Sequence, residues 1–246
     1  MHKNFAYIYD EFTKNVDYNE WFKFLRGYIP KKAKLLDIGC GTASITTKFR
    51  KYGYDTYAVD ISLDMLNVAK QKDDKIKYFN LDITKDKLDL KFDYITCNFD
   101  TVNYFTDYNA LNNFLINCYD MQEKNGTLIF DLVEEEIFDE IFENDVFIDE
   151  EENYTAIWRY ENLKNNKHLV EITAFVKNSD DTYEKYVEEH IKYIYGTNKV
   201  IEMLENVGYK IYDIARNEMY GQSRLFIIAK KWGELWKNKT LTIFIN

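Results

Sequence analysis

Leu35-Leu36-Asp37-Ile38-Gly39-Cys40-Gly41-Thr42-Ala43 decides the fold of this chain. An apolar run carries one carboxylate, two glycines follow one residue apart, and a helical pattern begins. That is a buried strand running through a tight turn into a helix N-terminus. Glycine there tolerates positive φ and lets a ligand approach the main chain. The helix start presents unpaired N–H groups. In an open α/β sheet this turn is where a nucleotide-like ligand binds.

Downstream, strands and helices alternate. Residues 55–60 read as a second strand ending on Asp60. Ser62 then caps a helix to about residue 71, with Leu63, Leu66 and Ala69 available for its inner face. Residues 76–81 form a third strand before Asp82. Residues 92–97 form a fourth, followed by Asn98-Phe99-Asp100. A helix over about 107–122, a turn at Lys124-Asn125-Gly126 and a strand over 127–132 complete the pattern of a parallel sheet with right-handed crossovers. Asp60, Asp82 and Asp100 thus fall at the carboxyl ends of strands, where such a sheet binds its ligand. Singly, each has a plainer reading as a turn or cap residue. Three of them beside a glycine turn point to a site.

Upstream, residues 1–30 read as two helices broken at Asn15-Val16-Asp17, with Asp17 capping the second and Pro30 ending it. After residue 150 the period changes. Residues 154–160, 168–176 and 183–195 alternate apolar and polar side chains, with turns at Asn165-Asn166 and Asp180-Asp181. They predict three antiparallel strands inserted as a small sheet with one covered face, placed as a lid over the crevice. A helix over 197–207 closes at Gly208, and 209–215 with 225–230 form an antiparallel hairpin at the sheet edge. The tail from 233 to 246 stays unplaced, although 241–245 has strand character.

The chain has 246 residues and a formal net charge of −10. A nucleic-acid partner is not expected, because phosphate binding needs a basic surface. Cys40, Cys97 and Cys118 form no metal-ligand spacing, so no metal is expected. The start MHKNFAYIYDEF lacks the apolar core of a secretory signal, and no apolar run approaches membrane-spanning length. The expected setting is cytoplasmic, away from any membrane, as a monomer or homodimer.

Two nucleotide readings compete at the turn. A dinucleotide fingerprint wants a third glycine where Ser44 stands, while Asp60 suits a ribose hydroxyl in either reading. The ordered set is more specific: Leu36-Asp37-Ile38-Gly39-Cys40-Gly41-Thr42, Val59-Asp60, Leu81-Asp82-Ile83, Phe92-Asp93-Tyr94-Ile95 and Gly126-Thr127-Leu128. Over roughly residues 5 to 231 the chain resembles the class I S-adenosylmethionine-dependent methyltransferases. The N-terminal aromatic helices and the small sheet resemble a subgroup acting on small molecules such as amino sugars and glycine-type amines.

That resemblance implies a Rossmann-like, seven-stranded, mostly parallel α/β sheet with an antiparallel C-terminal strand, helices on both faces and a small inserted antiparallel sheet. Its parts would be an N-terminal cap (1–30), a cofactor domain (31–149 and 197–231), the inserted sheet on the acceptor side (150–196) and an unassigned tail (232–246). The cofactor would be S-adenosyl-L-methionine. Asp37, Gly39, Cys40 and Gly41 would lie beside its methionine and ribose parts. Asp60 would hold the ribose hydroxyls, Ile61 and Met65 would flank the adenine, and Asp82 with Ile83 would read its edge. Asn98 and Phe99 would sit near the methyl group, with Tyr9, Tyr18 and Trp21 closing over it. Catalytic candidates are Tyr9, Asp100 and Tyr104, with Asn103 and His190 as further helpers, although a lone strand histidine is more often structural. The reaction implied is direct displacement onto nitrogen or oxygen of a small acceptor. The alternatives are an NAD-dependent oxidoreductase, an RNA or protein methyltransferase on the same fold, and a binding protein without catalysis.

Overall fold

In the computed structural model, residues 5–142, 144–216 and 221–232 are described. Two helices lead: α1 (Phe5–Phe12) and α2 (Tyr18–Tyr28). Asp17 caps α2 by accepting from the N–H groups of Asn19 and Glu20. Next come β1 (Lys34–Ile38), α3 (Ser44–Tyr52), β2 (Asp55–Asp60), α4 (Leu63–Lys72), β3 (Lys77–Asn80) and β4 (Phe92–Cys97). A 3₁₀ turn (Thr101–Tyr104), α5 (Tyr108–Met121), β5 (Gln122–Val133) and a short α6 (Ile137–Ile141) follow. The insert supplies β6 (Val146–Glu151), β7 (Tyr154–Lys164), β8 (Lys167–Lys177) and β9 (Tyr183–Tyr193). The chain then returns to the domain through α7 (Thr197–Val207), β10 (Tyr209–Arg216) and β11 (Arg224–Lys231).

The large sheet has seven strands in the order β10-β11-β5-β4-β1-β2-β3. β1 pairs in parallel with β2 and β4, while β11 runs antiparallel between β5 and β10. Consecutive residues of a central strand enter opposite layers. Leu36, Phe130 and Ile227 pack with α5 and α7. Leu35, Ile129 and Phe226 pack with Trp21, Leu25, Ile45 and Phe49 of α2 and α3. That is why these strands read as continuous apolar runs: both faces are covered. Each such side chain, fully buried, contributes about 1.5–3 kcal/mol relative to exposure.

The inserted sheet differs from expectation in its extent. It has four strands, not three, in the sequential antiparallel order β6-β7-β8-β9. It therefore begins near residue 146. The expected hairpin turns are present, with left-handed backbone at Asn165, Asn166 and Asp181. Two smaller corrections concern the domain. Leu63 is exposed on α4, whose inner face is Met65, Leu66, Val68 and Ala69. β5 begins at Gln122, so the Lys124-Asn125-Gly126 turn is an irregularity inside the strand where its register with β4 shifts. The unplaced tail, 233–246, lies outside the described residues.

The insert is fastened to the domain through α1, α4 and α6. Met65, Val68, Ile137, Phe138, Val170 and Ile172 share one core cluster with Ala6. Phe12 of α1 meets Tyr154 edge-on at 4.8 Å.

Candidate active site

One cavity of about 450 Å³ opens at the carboxyl ends of β1, β2 and β4. That is the size of a pocket for one drug-sized ligand. Its floor is the glycine turn. Gly39 has φ +66°, and a Cβ there would lie 2.4 Å from Thr101 Cγ2 and 2.6 Å from Thr101 Oγ1. The turn after β4 thus sits against bare backbone, which only glycine permits.

Asp37 is 3% exposed and accepts from Thr46 Oγ1 at 2.5 Å, Thr96 Oγ1 at 3.0 Å and Asn98 Nδ2 at 3.2 Å. Burial pushes its carboxyl up to about 6, while those donors pull the other way. Asn98 in turn accepts from Trp21 Nε1 at 3.1 Å. Asp60 takes one backbone N–H on each oxygen: Gly41 on Oδ2 and Ser62 on Oδ1, both at 2.8 Å. Burial raises its pKa despite these bonds. A carboxylate oxygen has two lone-pair sites, so each keeps capacity for a ligand hydroxyl. Asp82 accepts from Thr84 N and Oγ1 and pairs with Lys85 at 2.8 Å. Burial works upward on it and is outweighed by Lys85 and Thr84, leaving its pKa lowered.

Fourteen residues favoured from sequence for cofactor or catalysis, or named as helpers, line the cavity: Tyr9, Tyr18, Asp37, Gly39, Cys40, Asp60, Ile61, Met65, Asp82, Ile83, Asn98, Phe99, Tyr104 and His190. Four others stand behind it. Trp21 is 2% exposed and stacks on Phe99 with ring centroids 4.0 Å apart, so it supports the wall instead of forming it. Gly41 is not among the lining residues and acts through its N–H on Asp60. Asn103 is fully buried, its side chain bonded to main-chain groups of Val133 and Tyr193.

Asp100 is the fourth and the largest revision. Its carboxylate is paired with Lys192 and, at 3.0 Å, with Arg224. Burial works upward on its pKa and is outweighed by these two cations, which lower it. Arg224 also pairs with Asp131, which accepts from Asp100 N at 2.8 Å. A carboxylate held this way is an anchor, not a base. The cluster fixes a turn in which both Phe99 (φ 58°) and Asp100 (φ 48°) are left-handed, a conformation that persists only where its surroundings hold it.

Lys192, Arg224 and Asp131 were not singled out from sequence. Asp131, inside the apolar run Ile129-Phe130-Asp131-Leu132, was the available signal, because an ionisable side chain in a buried strand needs partners. Among the described residues, no cluster of His, Cys, Asp and Glu suits a metal ion, and no helix is long and apolar enough to cross a membrane.

The arrangement suits a nucleoside whose ribose meets Asp60 and whose base meets Asp82. Residues 35–126 match the family described as Methyltransferase domain. The chain is 26% identical over 240 residues to YqeM of Bacillus subtilis (strain 168), named provisionally as a methyltransferase, covering 94% of this chain and 97% of that one. Among solved structures it superposes on an S-adenosylmethionine-dependent methyltransferase from Clostridium acetobutylicum ATCC 824 with a TM-score of 0.83, at 24% identity over 93% and 98% of the two chains. CalS10 of Micromonospora echinaspora, an amino pentose methyltransferase solved with S-adenosylmethionine bound, gives a TM-score of 0.70 at 16% identity, covering 87% and 90%. The fold is that of the class I methyltransferases, as the motif set implied, and an oxidoreductase reading is not favoured.

Proposed function

We propose that this chain, a methyltransferase on the class I fold, uses S-adenosylmethionine to methylate a small-molecule amine of the amino-sugar class in the cytoplasm. One observation carries the acceptor reading. The cavity wall beside Phe99 includes Tyr9, Tyr18, Tyr104 and His190, whose hydroxyls and ring nitrogens can hydrogen-bond an amine acceptor. CalS10, an amino pentose methyltransferase of like fold, supports the class.

When bound, S-adenosylmethionine supplies an activated methyl on a sulfonium, and the chain's task is placement. Asp60 holds the ribose hydroxyls. Asp82 and Ile83 fix the adenine. Asp37 orients Asn98, and the Phe99–Asp100 turn shapes the methionine end. Tyr9 and Tyr18 close the cavity from α1 and α2 and exclude water. Alignment of this kind can supply roughly 7–11 kcal/mol of the barrier. Burial and the Lys192 ammonium push His190 down to about 4, so its imidazole is neutral at pH 7. With the Tyr104 hydroxyl 3.3 Å away, it offers hydrogen-bonding groups to a neutral N–H acceptor.

Calorimetry with S-adenosylmethionine and its demethylated product, S-adenosylhomocysteine, is expected to show binding, weakened about tenfold or more by Asp60→Ala as a charge-assisted contact is lost. A screen of amino sugars and simple amines, hydroxyls and carboxylates then reads release of S-adenosylhomocysteine, with amines expected to lead. Absence of binding by either nucleoside overturns the reading.

A further inference from the structure

β9 presents alternate residues to the cavity side. His190 lines the cavity, and two residues on, Lys192 reaches the turn after β4. The Lys192 side chain is 13% exposed. Its ammonium does two things at once. It pairs with Asp100 Oδ2, and it lies over the Tyr104 ring, 3.7 Å from the centroid. Asp100 and Tyr104 are the two ends of one 3₁₀ turn, with Thr101–Tyr104 between Asp100 as cap and Phe105. Tyr104, in turn, contacts His190 through its hydroxyl.

Asp100 is held from both sides: by Arg224 of the large sheet and by Lys192 of the inserted sheet. Arg224 on the carboxylate and Asp131 on the backbone N–H already anchor Asp100 within the domain. Removing one member of a buried ion pair leaves its partner's charge uncompensated, so Lys192 helps to hold the turn. Its second contact goes beyond that, since an ammonium over an aromatic face fixes the ring's position.

We propose that Lys192 is a positioning residue of the methyl-transfer site: bridging Asp100 and the Tyr104 ring, it sets the Tyr104 hydroxyl beside His190 to receive the N–H of the amine acceptor. The inserted sheet is then part of the acceptor site through β9, and not simply a cover. Lys192 is not among the residues that line the cavity and acts through Tyr104, which is. The proposal rests on the amine methyltransferase reading given above.

The test compares wild type with Lys192→Met, Lys192→Arg, Tyr104→Phe and the Lys192→Met/Tyr104→Phe double variant. Calorimetry with S-adenosylhomocysteine reads the cofactor side and the integrity of the fold. Steady-state kinetics with the amine that wild type turns over best reads the acceptor side. In Lys192→Met and Tyr104→Phe, S-adenosylhomocysteine affinity and the KM for S-adenosylmethionine are expected to change several-fold less than acceptor kcat/KM, which falls about tenfold or more in Lys192→Met and is largely rescued in Lys192→Arg. The double variant is expected to be no worse than about twofold below the weaker single, because residues that act through one another are not additive. Parallel loss of S-adenosylhomocysteine binding in Lys192→Met overturns the proposal in favour of a role in the fold. Losses that multiply in the double variant overturn the route through Tyr104. Wild type that fails to bind S-adenosylhomocysteine overturns the methyltransferase reading itself; wild type that binds it but turns over no amine overturns the acceptor class, and this proposal with it.

Discussion

Gly39 shows how one residue joins two parts of the site. Its positive φ turns β1 toward α3, and its bare Cα lets Thr101 close in from the turn after β4. Thr101 Oγ1 also donates to Asn98 O at 2.8 Å, so displacing it disturbs the cavity wall at Asn98. Gly39→Ala would place a Cβ 2.4 Å from Thr101 Cγ2 and strain the backbone as well. The expected result is a loss of S-adenosylhomocysteine affinity of about a hundredfold or more in calorimetry, from a clash and strain of about 3 kcal/mol. Wild-type affinity in the Gly39→Ala variant would mean that the cofactor does not pass this turn. Such residues were legible in the sequence because each carries a local rule: glycine at a positive φ, aspartate at a strand end. Trp21 and Asp100 were misplaced for the opposite reason. Their roles depend on partners 77 and 92 residues away, Asn98 and Lys192, which no local pattern specifies.

α1 touches the glycine turn, α4, the cavity and the insert. Asp10 accepts from Thr42 Oγ1 at 2.6 Å, beside the glycine turn, and pairs with Lys72 of α4 at 2.5 Å. Tyr9, one residue earlier, lines the cavity, and Phe12 packs on the insert. Because α1 covers one side of the cavity through Tyr9, Asp10 would act as a latch over the cofactor of the proposed reading. Asp10→Ala is expected to raise the S-adenosylhomocysteine dissociation rate several-fold, by about 1–2 kcal/mol of lost charged hydrogen bonding, with a smaller change in association rate. Stopped-flow displacement checks this; an unchanged off-rate removes the latch. At this scale the sequence was most readable where periodicity was strong. β1, β2, β4 and α7 fall at the expected residues because covered strands and an amphipathic helix have unmistakable patterns. β6 escaped because Val146-Phe147-Ile148 runs straight into Asp149-Glu150-Glu151, an edge strand whose charge hides its alternation.

Across the whole molecule, the seam between the inserted sheet and the domain carries both described histidines. His168 is 1% exposed, stacked on Phe138 at 4.6 Å and bonded through Nδ1 to the Tyr160 hydroxyl at 2.9 Å. Burial lowers its pKa. His190 faces Tyr104 of the 3₁₀ turn and Lys192 of its own strand, with Asp100 beyond. Burial and Lys192 bring it down to about 4, against the opposite pull of Asp100. A histidine whose folded pKa is depressed supplies stability that is present above the unfolded value of about 6.5 and is lost as pH falls through the folded one. The unfolded chain takes up that proton first, so acid pulls the seam apart. Asp37 and Asp131, raised to about 6 by burial, act in the opposite sense over much of the same window, since the folded state protonates them earlier. The total profile mixes the two. A difference between wild type and His190→Gln isolates the seam: moving from pH 7.5 to pH 4.5, wild type is expected to lose roughly 2–3 kcal/mol more than the variant. Urea unfolding at both pH values measures this. Parallel changes in the two proteins would mean that His190 is protonated as readily in the folded state as in the unfolded one.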